Sequence, residues 1–279
     1  LRFGRQRFVL DNQRFIGSLD FRQNQQTFDA FTVTNKSLAD TRLTYGYLFQ
    51  VLRIFGEDSG AGSYYTASHI LNASYAGLGF ATITAYGYLL DIDDVPARST
   101  RTFGLRAGGA YEVASGLDLL YTAEAARQFD HGNNPSDYDI GYYRLEGGLK
   151  YRGLTAKAGY EVLQGNRSQA FQTPLATAHK FQGWADRFLT TPAGGIEDLS
   201  FSLAYKVQGL GPLDGLRLMG VYHDFTAENG GGDYGSEFDF IVSKTLFEHF
   251  TVALKYANYQ ADGFATDTEK LWLSVGAKF

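Results

Sequence analysis

The chain has no cysteine, 5 prolines and 1 methionine among 279 residues. Without cysteine there is neither a disulfide framework nor thiol chemistry. That absence does not fix the compartment, though it is compatible with oxidising, periplasm-facing surroundings. No run of about 18 apolar residues occurs, which excludes a transmembrane helix. It does not exclude a membrane barrel, whose strands need only about 9–11 residues and stay amphipathic. Excess positive charge is also missing: the formal net charge is −5, against a nucleic-acid partner, which calls for a basic field. No GxSxG elbow or HExxH pair is present, and His69, His131, His179, His223 and His249 lie far apart without ligand spacing. Neither a catalytic residue nor a cofactor is therefore expected.

What is abundant is Tyr (19), Phe (22) and Gly (33). A chain rich in these and poor in proline suits strands joined by tight turns. The last stretch, Glu269 to Phe279, shows the pattern clearly. Leu271, Leu273, Val275, Ala277 and Phe279 fall on one side of an extended chain, and Trp272, Ser274, Gly276 and Lys278 on the other. Read for a membrane barrel, the apolar face meets lipid and the polar face a wet lumen. The aromatic Phe279 at the end resembles the insertion signal read by the barrel-assembly machinery of the outer membrane.

The same alternation recurs through the chain. Leu43, Tyr45, Tyr47, Phe49 and Val51 oppose Arg42, Thr44, Gly46 and Gln50; Phe103 to Val113 oppose Arg106 and Glu112; Tyr143 to Tyr151 oppose Arg144, Glu146 and Lys150. Short connections such as Ala114–Gly116 alternate with long polar ones such as Phe129–Tyr138, as in barrels with short periplasmic turns and long extracellular loops. The count is roughly 14 strands, an even number that leaves both termini on the short-turn rim. The expected fold is all-β: a transmembrane antiparallel up-and-down β-barrel, one domain over 1–279, with 164–198 a long loop that either folds into the lumen or forms a surface lid. A soluble β-sandwich or propeller is the competing reading, but it would leave several edge strands to protect. The chain starts Leu-Arg-Phe without Met or a signal peptide and is read as either processed or truncated, that is, as a whole barrel or one that lacks its first strands.

On this scheme the lumen receives Arg42, Arg106, Arg144, Lys150, Lys157, Lys206 and Lys255, with Glu112, Glu124, Glu146, Glu161, Glu237 and Asp239. Fixed cations attract and pass anions, and a guanidinium holds a carboxylate in bidentate fashion. Pairing of these charges across neighbouring strands is the competing role. Leu10 to Gln26 is polar and without period, hence a loop or inward-folded segment; Arg5, Arg7, Arg14 and Arg22 form a basic cluster if it folds inward. Within the long loop, Pro174 to Leu189 reads helical, because Leu175, Ala178, Phe181, Ala185 and Phe188 recur near helical spacing. Its His179, Lys180, Trp184, Asp186 and Arg187 are candidates for a constriction. Aromatics such as Tyr75, Tyr111, Tyr151 and Tyr205 suit interface girdles. Acidic loops at Asp91–Asp94 and Asp130–Asp139 could hold Ca²⁺, although neither matches an EF-hand.

Two segments, Gly4 to Phe31 and Thr173 to Leu199, resemble segments of the alginate-export family of outer-membrane porins. The resemblance implies a monomeric channel in the outer-membrane lipid bilayer, passing an anionic saccharide such as a uronate polymer, or a small anionic solute, along lumen Arg and Lys. A general or small-organic-solute porin is the first alternative, and an outer-membrane barrel enzyme the second.

Overall fold

The computed structural model describes residues 1–21, 24–56 and 58–278. It contains 14 strands: β1 (Arg2–Gln6), β2 (Thr27–Asn35), β3 (Thr41–Leu52), β4 (Ser63–Tyr75), β5 (Thr82–Leu90), β6 (Thr100–Ala114) and β7 (Leu117–Asp130) form the first half. The second half is β8 (Asp139–Tyr151), β9 (Leu154–Leu163), β10 (Ile196–Lys206), β11 (Arg217–Thr226), β12 (Asp233–Leu246), β13 (Phe250–Ala261) and β14 (Thr268–Ala277). All belong to one antiparallel sheet in sequence order. Among the described residues no ladder joins β1 to β14.

Strand β4 shows why this sequence makes this sheet. Tyr64, Thr66, Ser68, Ile70 and Asn72 are buried, while Tyr65, Ala67, His69, Leu71 and Ala73 between them are exposed. The exposed side is mostly apolar: Leu71, Leu105, Leu145, Phe201 and Leu203 all face outward. Outward tyrosines mark its limits. Tyr75, Tyr111, Tyr151 and Tyr205 lie near the short turns, and Tyr65, Tyr143 and Tyr160 nearer the other end. From Tyr143 to Tyr151 the strand rises about 27 Å, or about 20 Å along the membrane normal once tilted by ~40°. An apolar band between aromatic girdles is how a barrel exterior meets lipid.

The alternation slips once in β3. A bulge between Leu48 and Gln50 puts Leu48 and Val51 inside and leaves Phe49 outside, so Val51 does not share the outer face of Leu43 and Phe49 as its spacing predicts. An extra residue on one strand shifts the side-chain phase beyond it.

Two connections fold inward. Residues 7–26 carry buried Phe8, Arg14, Phe15 and Ile16; residues 164–195 carry buried Phe171, Leu175, Trp184, Ala185 and Phe188. They touch strands from β2 to β14, so the sheet curves around them. The expected helix over Pro174 to Leu189 is absent: only Ala178–Lys180 makes a 3₁₀ turn. Gln182, Gly183 and Asp186 adopt positive φ, which no right-handed helix allows. Phe279, the expected insertion signal, and Arg22 lie outside the described residues.

Leu71→Arg, at mid-strand on the outer face, should cost ~2–4 kcal/mol of folding stability in lipid. Ser74→Arg, one face over on the same strand, should cost far less. Urea titration of refolding into phospholipid vesicles reads both; equal costs would contradict the assignment of faces.

Candidate functional site

The inward segments meet at Arg14. Its side chain is 2% exposed. Nε donates to Glu161 Oε1 of β9 at 2.8 Å, and another guanidinium nitrogen donates to Gln182 Oε1 at 3.0 Å. The guanidinium also lies 4.6 Å from the ring centre of Phe181. Glu161 accepts further bonds from Tyr142 Oη, at 2.7 Å, and from Gln182 Nε2. One buried ion pair thus ties segment 7–26, segment 164–195 and the β8–β9 wall together.

Around this hub the two segments are zipped by their backbones. Gly17 N–H donates to Leu175 C=O at 2.9 Å, and Thr177 N–H to Gln13 C=O at 3.0 Å. Gln26 Nε2 bonds both Gly17 C=O and Leu175 C=O. The approach is close enough that a Cβ on Gly17 would fall 2.7 Å from Thr177 N. On one side Asn72 Nδ2 donates to Asp11 Oδ2 at 2.8 Å, and Phe15 packs on Tyr86, Tyr88, Tyr142 and Phe171. Burial pushes the Asp11 carboxyl above its ordinary range, against the pull of Asn72 and the Arg106 charge. On the other side, Trp184 N–H donates to Asp239 Oδ2 at 3.0 Å and Ala185 N–H to Glu237 Oε1 at 2.6 Å, both on β12. Gly183 has φ +78°, and a Cβ there would overlap the Glu237 carboxylate. Lys270 Nζ of β14 donates to Ala185 C=O at 2.6 Å. The two segments form a septum from the β4–β9 wall to the β12–β14 wall.

The expected lumen residues do not form a single ring. Arg106, Arg144 and Lys157 come together on the inner side, toward the short turns, where Arg106 pairs with Glu124 at 3.0 Å and Glu146 receives Arg144 and Lys157, each at 2.9 Å. Lys180 projects from the septum into their field: partial enclosure comes first, then repulsion by Arg144, Arg106 and Lys157, in holding its pKa below the ordinary lysine value. Arg42 lies apart, beside Arg7 and Asn72 around another cavity. Lys206 sits at the short-turn end of β10, in phase with Ser200 and Ser202. Lys150 pairs with Asp118 at 3.2 Å, and Glu112 accepts from Gly116 N–H.

Lys255, on the opposite wall, stands among Trp184, Trp272 and Phe21, with Nζ 4.0 Å from the Trp184 ring centre and bonded to His179 Nε2. His179 Nδ1 is 2.6 Å from Asp186 Oδ1. These are septum anchors. Arg187 is half-buried, with Nε unpartnered among the described residues.

Two expected lumen cations are placed differently. Arg5 shares the outer face of β1 with Phe3 and pairs with Asp29 at 3.0 Å. Gln6, not Arg5, turns inward to Thr32. Arg14 is inside but fully enclosed by its partners. Among the described residues no three acidic or His groups converge on a metal-sized point; in the acidic loop 91–94, Asp94 instead accepts the Tyr65 N–H at 2.6 Å. The residues the sequence did not single out are Arg53 and Arg98, which border an outer cavity of about 720 Å³. Both lie in loops beyond strand periodicity. The hint was aromatic: Phe55 follows Arg53 two residues on, and Tyr64 opens the next strand.

Arg14→Ala leaves Glu161 buried without its main cation, a loss of ~3–5 kcal/mol in such pairs. The septum should loosen: faster amide exchange over 173–185 is expected. Replacing Arg14 and Glu161 together by Leu should restore part of the protection, because no uncompensated charge remains. Unchanged exchange in Arg14→Ala would remove the hub.

No protein-family model matches the chain, and no curated protein does. Solved structures do. Pseudomonas aeruginosa OpdK, crystallised with vanillate, shares 16% identity at a TM-score of 0.75 over 96% of this chain and 72% of its own. P. aeruginosa OccD3 (OpdP) shares 16% at 0.77, over 99% and 73%. Acinetobacter baumannii OccAB3 shares 15% at 0.73, over 97% and 72%. OpdK is an outer-membrane protein. At these identities the likeness is one of fold. It runs to Opd and Occ proteins, not to alginate exporters, and this overturns the alginate-export resemblance of Gly4 to Phe31 and Thr173 to Leu199. The chain has the fold of these outer-membrane barrels, and its lipid-facing exterior and ionic interior suit that membrane.

Proposed function

We propose that the protein is a passive channel of the outer membrane for small organic solutes, favouring those that carry a carboxylate. The observation that carries this reading is the septum. It narrows the lumen to small cavities and places cations on both of its sides: Lys180 within, beside the ion-paired Arg106, Arg144 and Lys157, and Arg53 and Arg98 without. Polymer passage has no support in so divided a lumen. Fixed cations raise the local anion concentration and lower the barrier to anion entry. OpdK, which shares the fold, was solved with vanillate, an aromatic carboxylate. That supports small organic solutes as the class.

The test is a reversal potential in a planar bilayer under a salt gradient, followed by uptake of benzoate and of a neutral solute of equal size into proteoliposomes. Anion preference and faster benzoate entry are expected. Open conductance with no preference would leave a general porin, and no conductance would refute the channel.

Lys180 gives the pH dependence. Its pKa is lowered, so its charge is lost as pH rises through a value below the ordinary lysine range. Anion preference should therefore fall at a milder alkaline pH than a free lysine would give. Lys180→Gln should show reduced preference at neutral pH and lack that step.

A further inference from the structure

At the long-loop end of the outer face, four side chains of β6 and β7 form a checkerboard: Arg101 stands opposite Phe129, and Phe103 opposite Arg127. Both arginines are exposed, in phase with outward Phe103 and Leu105 on β6 and with outward Ala123 and Ala125 on β7. Diagonal neighbours of this kind stand about 7–8 Å apart. The Arg101 guanidinium lies 5.3 Å from the Phe129 ring centre and, among the described residues, forms no ion pair. Arg127 meets Asp139 of β8 at 2.7 Å, with both side chains half exposed; an exposed pair is weak and leaves the guanidinium open to a second anion. Below Arg127 the outer face of β7 is a furrow. Ala125 and Ala123 form its floor, Leu105 stands on one side, Tyr143 and Leu145 on the other, and Tyr121 closes it. Around Ala123 it widens toward Ala107, Gly147 and Ala158 into a hollow of about 520 Å³. Ala125 is level with Tyr143 in the register, and Arg127 is the next outward residue beyond it, just past the aromatic girdle and at headgroup height. From Arg127 to Tyr121 the strand rises about 20 Å, or ~15 Å along the membrane normal at a tilt of ~40°, which is half of a hydrocarbon core about 30 Å thick. The furrow spans one leaflet.

We infer that Arg101 and Arg127, together with the β7 furrow, bind a phosphate-bearing lipid of the leaflet on the long-loop side. The phosphate sits between the two guanidiniums, whose planar donors match its oxygens in charge-assisted bonds. One acyl chain lies in the furrow over Ala125 and Ala123, where the small side chains let it approach the sheet closely and gain contact along its length. A free ion meets the arginines alone, and an uncharged lipid the furrow alone; only a lipid with an anionic head meets both. The site is on the lipid side of the wall, so it does not depend on what passes through the lumen.

The experiment is native mass spectrometry of the protein in detergent micelles with equimolar phosphatidic acid and phosphatidylcholine of the same acyl chains. Phosphatidic acid should be retained ~5-fold or more over phosphatidylcholine, because its headgroup bears net negative charge for the two arginines. Arg101→Gln combined with Arg127→Gln should bring that ratio close to one. Arg152→Gln removes a guanidinium that stacks on Tyr151 at the short-turn rim and should leave the ratio unchanged. Arg101→Gln alone touches no ion pair; it is the readout if the double variant fails to fold, and should lower the ratio by ~2-fold or more. Ala125→Phe fills the furrow without changing a charge and should lower retained phosphatidic acid by ~5-fold or more. Inorganic phosphate in large excess should leave the bound lipid in place. Equal retention of the two lipids, a ratio unmoved by the Gln variants at Arg101 and Arg127, or a ratio lowered as much by Arg152→Gln would overturn the site. Phosphatidic acid unmoved by Ala125→Phe, or displaced by inorganic phosphate, would overturn the acyl-chain assignment.

Discussion

A backbone in lipid finds no water to bond, so each N–H and C=O of a spanning strand must be met by its neighbour in the sheet. The rest of the structure follows from this. Each strand pairs with the next in sequence, from β1 to β14, because hairpins are the shortest way to satisfy two edges at once. With the backbone so committed, side chains can face only lipid or lumen. Leu71, Leu105 and Leu145 take the first and Asn72, Arg106 and Arg144 the second. The sheet encloses a space too wide for strand side chains alone to fill, and the chain folds two of its own connections into it.

How those connections stay in place is a question of charge. Moving an arginine and a glutamate out of water costs several kcal/mol per ion unless each finds good partners. Arg14 and Glu161 find them in Gln182, Thr173, Tyr142 and each other. Such a pair adds little net stability, but removing one member is costly, so it fixes position more than it adds strength. The carboxylates of Glu237 and Asp239, bonded to the Ala185 and Trp184 amides, play the matching part on the far wall. Arg53 and Arg98 are held by Tyr64 instead and, among the described residues, pair with no carboxylate. Opposite outcomes for the same residue type separate framework from candidate recognition.

Much of the sheet was legible in the chain. Period-2 alternation in β4, β6 and β8, the alternation of short and long connections, and the strand count follow from a two-faced environment that constrains every second residue in the same way. The bulge in β3 was not legible, because one inserted residue leaves the local composition unchanged. The septum was read only in part. Leu10 to Gln26 suggested an inward segment, but Pro174 to Leu189 suggested a helix. Its apolar residues recur near helical spacing for another reason: each is a peg into a different surface. Leu175 sits at the zipper with Gly17, Phe181 under Arg14, and Phe188 among Phe225, Tyr259 and Phe264. Periodicity cannot tell one continuous stripe from several separate anchors. The same segments carried the alginate-export resemblance, and the fold likeness ran elsewhere.

What the sequence determined by itself is the two-faced sheet. Whether a strand residue meets lipid or lumen depends on its parity, and parity is a property of the chain. What only the tertiary structure decided is where each charge points and which charges are neutralised. Arg5, Arg14, Arg53 and Arg106 are alike as letters; their partners come from 24, 147 and 18 residues away for Arg5, Arg14 and Arg106, and Arg53 has an aromatic bed in place of a carboxylate. An ion pair is set by distances of a few ångströms in space, and folding brings together residues whose separation along the chain carries no trace of it.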